Sequence, residues 1–388
     1  MGYSIKVLAP SNPAELAELL RDAASAGRTI GISGSSTKRR MAGPVEPPDV
    51  PITTLSLRGV LQYEPRDLTI SVNAGLSWRE LTSLLAEHRQ MVPLDPPFGE
   101  GATVGGVIAA NSSGPRRRLY GTARDLVIGM QFATLEGKLV QSGAMVVKSV
   151  AGLDMAKLMI GSFGTLAAIT SVNFKVQPMP ELERSFLLPF DSLASAVAVR
   201  GKILNSQLQP SAIDLLNPQA AAALGYSTWL LLLRAGGNSK VIERYQREFL
   251  QLADGSYYEG AEQAELWRRV ENYTPGFLAA NEDGAVVRAS CTLKNSEAVL
   301  ASFPGPAVAR AGAGLCYGYC ESGQAASAWL GSPGAEGCKA VVEFASDAGR
   351  RTLELWPSPG GDFELMKRVK HLFDPKNLLN RDRLYRLI

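Results

Sequence analysis

Histidine is scarce in this sequence: the 388 residues contain only His88 and His371. Imidazole is the commonest metal ligand and proton carrier in proteins, so the chain has little material for a histidine-based centre. His88 falls in the last turn of a predicted helix, where a histidine usually complements the carbonyl end. We therefore assign no catalytic residue and no metal ligand from the sequence.

Cysteine is also sparse. Cys291, Cys316, Cys320 and Cys338 lack the close spacing of an iron–sulfur ferredoxin motif or a zinc ribbon. This pattern excludes both kinds of site and predicts reduced thiols in the core of a cytoplasmic protein.

The chain has little net charge and no long apolar run. Lysine and arginine number 40 against 37 acidic residues, a net charge of +3, which does not favour nucleic acid or an acidic membrane as the main partner. No stretch reaches the roughly 18 apolar residues that a membrane span needs, and no signal-peptide pattern opens the sequence. The longest candidate, residues 229–233, is predicted to be a strand.

Small residues are abundant between residues 101 and 121. Gly105 and Gly106 remove two side chains, and Asn111 to Gly114 form a second polar, sterically open turn. The flanking valines and isoleucine need burial, so this stretch is not a solvated linker. Two interpretations remain open at this point: a packing turn between core elements, or a backbone cradle for a cofactor.

Two further turns of the same kind occur near the N-terminal strand and after residue 160. A predicted strand at residues 28–33 runs into Gly34-Ser35-Ser36-Thr37-Lys38, which can surround an anion with N–H groups and hydroxyls. This loop lacks the endings of a P-loop or of a Gly-x-Gly-x-x-Gly motif. Residues 161–165 form the third turn and lead into an alternating strand. Three such turns in one domain favour one shared ligand over three coincident packing turns.

The remaining periodicities predict an α+β fold. Residues 178–183 look like a domain boundary. Beyond it, strands are predicted at 186–190, 212–216, 228–234 and 286–293, with helices at 192–204, 239–253 and 262–270. This alternation is typical of an antiparallel sheet with helices on one face. A further helix is predicted at 362–372.

Taken in order, these motifs resemble the flavin-containing oxidases of the vanillyl-alcohol-oxidase, or PCMH, type, and within them the FAD-binding subunits of bacterial glycolate oxidases. The resemblance spans nearly the whole chain. The motifs that carry it are Gly34-Ser35-Ser36-Thr37, Ala102-Thr103-Val104-Gly105-Gly106 with Asn111-Ser112-Ser113-Gly114, Tyr120-Gly121 with Asp125, Gly161 to Leu166, and Phe373-Asp374-Pro375 with Asn380.

The resemblance implies a PCMH-type FAD-binding domain of two subdomains at residues 1–180, an α+β cap at 181–350, and a C-terminal segment, 351–388, that returns to the FAD domain. It implies that residues 33–38 and 103–106 wrap the pyrophosphate, that Asn111, Ser113 and Gly114 approach the flavin, and that Gly161, Gly164 and Ile169 border the adenosine end. The cofactor-binding residues it predicts are Ser33, Gly34, Ser35, Ser36, Thr37, Lys38, Asp95, Pro96, Thr103, Val104, Gly105, Gly106, Asn111, Ser113, Gly114, Arg118, Tyr120, Gly121, Gly161, Gly164, Ile169 and Asn380.

Two departures from the family pattern refine this expectation. Some members hold the flavin covalently through a histidine of the first loop, but this loop has none, and no cysteine precedes residue 291. We therefore expect non-covalent FAD. Relatives that oxidise 2-hydroxy acids directly use a histidine-rich metal site in the cap, which is missing here.

The resemblance then implies a glycolate-oxidising complex in which this chain accepts or relays electrons. Its expected partners are a homologous catalytic flavin subunit, an iron–sulfur subunit and a small 2-hydroxy acid substrate. The expected location is the cytoplasm, with any membrane attachment made through partner subunits.

Two alternatives remain open. One is a self-sufficient flavoenzyme acting on another small alcohol or a sugar nucleotide, with Arg288, Tyr317 and Tyr319 as anion-binding or acid–base groups. The other is a structural subunit that works by docking its partners. If the chain binds FAD, the pyrophosphate favours a nearby cation, and the candidates are Lys38 and Arg118.

Overall fold

The computed structural model describes residues 6–144 and 154–388. In chain order its α-helices are α1 (Pro13–Ser25), α2 (Trp78–Glu87), α3 (Val104–Ala109), α4 (Arg117–Tyr120), α5 (Ala123–Leu126), α6 (Ala156–Met159), α7 (Leu193–Leu204), α8 (Pro218–Ala221), α9 (Ser239–Leu252), α10 (Gly260–Glu271), α11 (Tyr273–Ala280), α12 (Ser296–Ser302), α13 (Gly323–Leu330), α14 (Asp347–Thr352) and α15 (Phe363–Phe373).

Its strands are β1 (Ile30–Ser33), β2 (Val50–Thr53), β3 (Val60–Glu64), β4 (Thr69–Asn73), β5 (Gln90–Met91), β6 (Val127–Ala133), β7 (Leu139–Gly143), β8 (Ala168–Lys175), β9 (Gln177–Pro178), β10 (Leu182–Phe190), β11 (Ala212–Leu216), β12 (Trp229–Gly237), β13 (Ser256–Glu259), β14 (Ala285–Ser290), β15 (Ala307–Arg310), β16 (Leu315–Cys320) and β17 (Lys339–Phe344).

These elements fall into two compact units. Unit 1 contains the described parts of Met1–Ser113, Thr122–Met179 and Ser358–Ile388, and unit 2 contains Gly114–Gly121 and Pro180–Pro357. The short segment Gly114–Gly121 therefore packs with unit 2, although residues on both sides of it pack in unit 1.

Unit 1 is built on an antiparallel five-stranded sheet, in the order β3-β4-β8-β6-β7, and a parallel pair, β1 and β2. Helix α1 begins at Pro13, because the Asn12 side chain accepts a 2.9 Å hydrogen bond from Glu15 N and Pro13 fixes the first turn. Its buried leucines, Leu16 and Leu20, pack in a small core with Ile30 and Ile52. The capping box of Ser77 and Glu80 likewise opens α2.

The C-terminal segment returns to β1 of unit 1. Ile30 N donates to Leu378 O at 2.8 Å, and Asn380 N donates to Ile30 O at 2.9 Å. The turn before it is held by Lys370, whose buried Nζ donates to Asp374 Oδ2 at 2.7 Å and Thr165 O at 2.8 Å. The C-terminal residues thus form part of the framework of unit 1.

Unit 2 is an antiparallel eight-stranded sheet in the order β13-β10-β12-β11-β15-β16-β14-β17. Alternate residues of β12, such as Leu231 and Leu233, face a core that includes Ile203 of α7 and Phe249 of α9. The α+β class predicted from the sequence is confirmed, and so are the strand at residue 229 and the three predicted helices of this region.

The structure differs from the sequence predictions in several elements. Residues 104–109 form the short helix α3, where the glycines suggested an open turn. Strands β15, β16 and β17 were not predicted, because Leu315–Cys320 mixes glycine and cysteine with tyrosine and lacks a plain apolar alternation.

Candidate cofactor site

The loop after β1 presents a row of free backbone donors. Among the described residues, the N–H groups of Gly34 through Lys38 have no hydrogen-bond acceptor. Gly34 is required at the start of this loop, because a Cβ there would lie 2.2 Å from Thr103 Oγ1. Successive unpaired N–H groups of this kind form an anion-binding concavity.

The Gly-rich stretch at residues 103–106 plays a different part. Its amides are already paired: Val104 N donates to Leu76 O at 2.9 Å and Gly105 N to Ala74 O at 2.8 Å. Gly106 N donates to the capping hydroxyl of Thr103 at 3.2 Å. This turn therefore shapes a wall for the first loop and does not offer amide donors of its own.

The third turn, residues 161–165, docks on the end of α3. Gly161 N donates to Ile108 O at 3.2 Å, and Phe163 N donates to Ala109 O at 2.9 Å. The Asn380 side chain then ties this turn to β1, since Nδ2 donates to Phe163 O at 2.8 Å and Oδ1 accepts from Ile32 N at 2.7 Å.

These elements enclose a cavity of about 420 Å³ within unit 1. Of the residues predicted to bind a cofactor, those that line it are Ser33, Gly34, Ser35, Ser36, Thr37, Lys38, Thr103, Gly106 and Asn380. Other predicted residues of unit 1 do not line it, namely Asp95, Pro96, Val104, Gly105, Asn111, Ser113, Gly161, Gly164 and Ile169. The sequence predictions missed Phe163, Arg381 and Arg383, which also line this cavity and carry no local signal of a site.

Lys38 places a buried side-chain amine at the cavity. Its Nζ is buried and has no hydrogen-bond partner among the described residues. Burial lowers the pKa of Lys38 to about 8, because the ammonium loses water without gaining a counterion. An ammonium in this position fits an anionic ligand, so the residues present fit a dinucleotide diphosphate.

Arg118, the other candidate cation, is engaged inside unit 2. Its Nη1 donates to Pro210 O at 2.8 Å and its Nη2 to Gln209 Oε1 at 3.1 Å. Gly114, Tyr120 and Gly121 belong to the same segment of unit 2. Lys38, and not Arg118, therefore provides the unpaired charge.

Unit 2 carries a polar cluster on the face of its sheet opposite the helix-covered core. Arg310 pairs with Asp214 and lies over the Tyr317 ring, with the guanidinium carbon 5.5 Å from the ring centroid. Arg288 donates from Nε to Glu343 Oε1 at 3.0 Å.

Burial and the neighbouring Arg288 and Arg310 lower the pKa of Arg117, which adds a third cation. Burial raises the pKa of Tyr317 and of Tyr319, so both phenols stay protonated at neutral pH. The cluster, defined as Arg117, Arg288, Arg310, Asp214, Glu343 and Tyr317, thus has three cations for two carboxylates.

The two histidines are not among the residues that line the cavity. His88 and His371 are exposed in unit 1, with His88 edge-on to the Tyr63 ring. Within residues 6–144 and 154–388, no group of three histidines, cysteines or carboxylates is placed to hold a metal ion. No helix in those residues is long and apolar enough to cross a membrane.

Comparison with known families identifies two matching segments. Residues 5–143 match a family model described as an FAD binding domain, and residues 358–384 match one described as the C-terminal domain of FAD-linked oxidases. The matches cover the first loop and the returning C-terminal segment, which together line the cavity.

Three curated proteins illustrate the sequence similarity. The chain is 28% identical over 378 residues to glycolate oxidase subunit GlcE of Escherichia coli, covering 95% of this chain and 96% of that protein. It is 27% identical over 249 residues to glycolate oxidase subunit GlcD of Bacillus subtilis, with 61% and 53% covered. It is 33% identical over 161 residues to mitochondrial D-lactate dehydrogenase [cytochrome] 1 of Saccharomyces cerevisiae, with 42% and 27% covered. The matches to the last two thus span about half and about a quarter of those proteins.

Two solved structures share the fold. An alkyldihydroxyacetonephosphate synthase matches with a TM-score of 0.71 at 17% identity, covering 96% of this chain and 76% of that one. The 4-ethylphenol oxidase of Gulosibacter chungangensis matches with a TM-score of 0.69 at 13% identity, covering 99% and 90%. The PCMH-type fold expected from the sequence is confirmed.

Proposed function

We propose that this FAD-dependent oxidoreductase is the FAD-binding subunit of a complex that oxidises glycolate or a similar small 2-hydroxy acid. Two of its segments match the FAD binding domain and the C-terminal domain of FAD-linked oxidases. The observation that carries this proposal is the similarity to a glycolate oxidase subunit along 95% of the chain. The cavity of unit 1 supplies its physical support.

We place the FAD diphosphate against the first loop. The free amides of Gly34 to Lys38 and the Lys38 ammonium suit its oxygens, and the wall from Thr103 to Gly106 limits its approach. In this proposal residues 1–180 and 351–388 bind FAD, and residues 181–350 form the cap.

The flavin is bound without a covalent link. The described residues that line the cavity include no histidine or cysteine that could attach it. Precipitation of the holoprotein with acid should therefore release all of the yellow colour into the supernatant. Flavin that stays with the washed pellet contradicts the proposal, and a known covalent flavoprotein treated in parallel controls for trapping.

We propose the polar cluster of unit 2 as the place where a substrate carboxylate would bind. Its guanidinium groups would receive the carboxylate through charge-assisted hydrogen bonds, in competition with the ion pairs that Arg288 and Arg310 form with Glu343 and Asp214. When bound, FAD supplies the acceptor for the hydride of the substrate carbon. The remaining requirement is a base for the hydroxyl proton.

Among the described residues, the cavity and the polar cluster contain no histidine to serve as that base, and the carboxylates of the cluster, Asp214 and Glu343, are held in ion pairs. The phenols of Tyr317 and Tyr319 are protonated at neutral pH, and both histidines are exposed in unit 1. We therefore propose that a homologous catalytic flavin subunit performs the oxidation and that an iron–sulfur subunit carries electrons onward, all in the cytoplasm. Membrane attachment, if present, belongs to the partners.

Anaerobic mixing of the FAD-loaded chain with glycolate, followed at the flavin absorbance band, tests this division of labour. The chain alone should bleach slowly, and addition of the partner subunits should make bleaching fast. Chemical reduction with dithionite serves as the control that the flavin is reducible.

Fast bleaching of the isolated chain would favour a self-sufficient oxidoreductase. If that bleaching survives in a His88→Ala/His371→Ala double variant, the base is not a histidine. Substitution of Arg288→Met, whose partner Glu343 is less deeply buried than Asp214, then shows whether the polar cluster binds the substrate, because the apparent KM should rise in a variant that thermal melts show to be folded.

A further inference from the structure

The charges around Lys38 are unbalanced even without a ligand. Its ammonium shares the cavity with Arg39, Arg381 and Arg383, and the one acidic residue among the described lining residues is Glu46. Arg383 is occupied by the framework, since its Nη1 and Nη2 donate to Gly43 O at 2.9 Å and Met41 O at 2.7 Å. None of these groups forms a hydrogen bond with Lys38 Nζ.

A buried ammonium without a counterion is costly, and a protein lowers that cost by releasing the proton. The pKa of Lys38 is accordingly reduced to about 8 by burial alone. An anion arriving beside Nζ has the opposite effect, because it stabilises the charged form. Ligand binding and protonation of Lys38 must then favour each other.

We infer that Lys38 is the ammonium counterion of the cofactor diphosphate and that, at mildly alkaline pH, it takes up a proton from solvent as the dinucleotide binds. This inference rests on the proposed placement of FAD in the cavity of unit 1. Lys38 then contributes part of the affinity for the diphosphate. It also causes the pH dependence of cofactor binding.

The pH dependence has a definite sign. Below pH about 8 the lysine of the empty site is already charged, so affinity is constant. Above that pH the empty site is neutral, and binding must first recruit a proton. The dissociation constant for FAD should then rise by up to about tenfold per pH unit, until the pKa of the occupied site is reached.

The test uses the full-length chain stripped of flavin and titrated with FAD, ADP and riboflavin between pH 7 and pH 9. Calorimetry in two buffers of different ionisation enthalpy counts the protons taken up. Lys38→Met removes the charge, Lys38→Arg keeps it at every pH, and exposed Lys376→Met is the matched control. Thermal melts verify that each variant is folded.

We expect the wild type and Lys376→Met to take up close to one proton per FAD or ADP at pH 9 and almost none at pH 7. Lys38→Met should bind both nucleotides about tenfold or more weakly at pH 7, with no proton uptake, while Lys38→Arg keeps its affinity at pH 9. Riboflavin, which has no phosphate, should bind all variants alike.

Unchanged nucleotide affinity in Lys38→Met, or proton uptake that persists in it, overturns the inference while the proposed FAD site stands. A wild-type chain that binds no FAD overturns both. If Lys38→Met melts early, Lys38→Arg decides alone: a pH dependence equal to that of the wild type contradicts the assignment.

Discussion

Gly105 and Gly106 are neighbours with opposite surroundings. A Cβ on Gly105 would lie 2.9 Å from Ala74 Cβ and 3.1 Å from Ala74 O, against the residue that follows β4. A Cβ on Gly106 would meet only Thr103 Oγ1, at 3.1 Å, and would extend toward the cavity. A side chain at Gly105 would therefore disturb the packing of α3, whereas a side chain at Gly106 would occupy space in the cavity.

Valine substitutions should separate these two roles. Gly105→Val forces α3 away from Ala74, so we expect a loss of about 1–3 kcal/mol in unfolding free energy. Gly106→Val should leave the apoprotein nearly as stable but weaken FAD binding by about tenfold or more. Denaturant unfolding of the apoprotein and FAD titration measure the two effects. Equal FAD affinity in wild type and Gly106→Val would show that Gly106 does not border the bound FAD.

At the scale of elements, α15 and the turn after it hold the C-terminal segment in place. The Asp374 carboxylate accepts from Leu378 N at 2.9 Å and Leu379 N at 2.8 Å, besides its ion pair with Lys370. Both charged groups are almost fully buried, with 5% and 0% of their side chains exposed. The motif Phe373-Asp374-Pro375 is therefore a structural turn.

Lys370→Met should test this role of the turn. Removal of one partner leaves the Asp374 carboxylate buried and unpaired, which should cost about 3 kcal/mol or more. Lys367→Met on the same helix is the matched control, because its ion pair with Glu364 is exposed and contributes at most about 1 kcal/mol. Urea unfolding gives both values. Similar losses in the two variants contradict a structural role for the buried pair.

Local sequence signals are sufficient for elements whose causes are local. The cap at Asn12 and the capping box at Ser77 mark helix starts through neighbours three residues away. Helix α3 was missed because its glycines have low helix propensity. The Thr103 side chain caps it, and it packs against β8.

The site is harder to predict than the elements, because its contacts join distant parts of the chain. Asn380 contacts Ile32 across 348 residues, and no periodicity encodes such a contact. The family resemblance predicted Asn380 as a cofactor-binding residue, whereas no sequence pattern pointed to Arg381 or Arg383. The sequence predicted the amide donors of the first loop. It could not show that the amides of residues 104 and 105 are already paired, because their acceptors, Leu76 O and Ala74 O, lie in another part of the chain.

Across the whole molecule, we propose that unit 1 binds the cofactor and that unit 2 binds an anionic substrate. Among the described residues, unit 1 contributes free amides and an unpaired ammonium, whereas unit 2 contributes arginines beside protonated phenols. Neither the cavity nor the polar cluster contains a histidine among the described residues, and the carboxylates of the cluster are ion-paired. This distribution supports the proposal that the chain works within a complex.

A crystal structure of the chain with FAD directly tests the binding of the diphosphate at the first loop. The diphosphate oxygens should lie within about 2.7–3.2 Å of the backbone nitrogens of residues 34–38 and of Lys38 Nζ. The amides of residues 104 and 105 should keep their bonds to Leu76 O and Ala74 O. A diphosphate bound elsewhere, with the first loop free of ligand and Lys38 still unpaired, would contradict the proposed site.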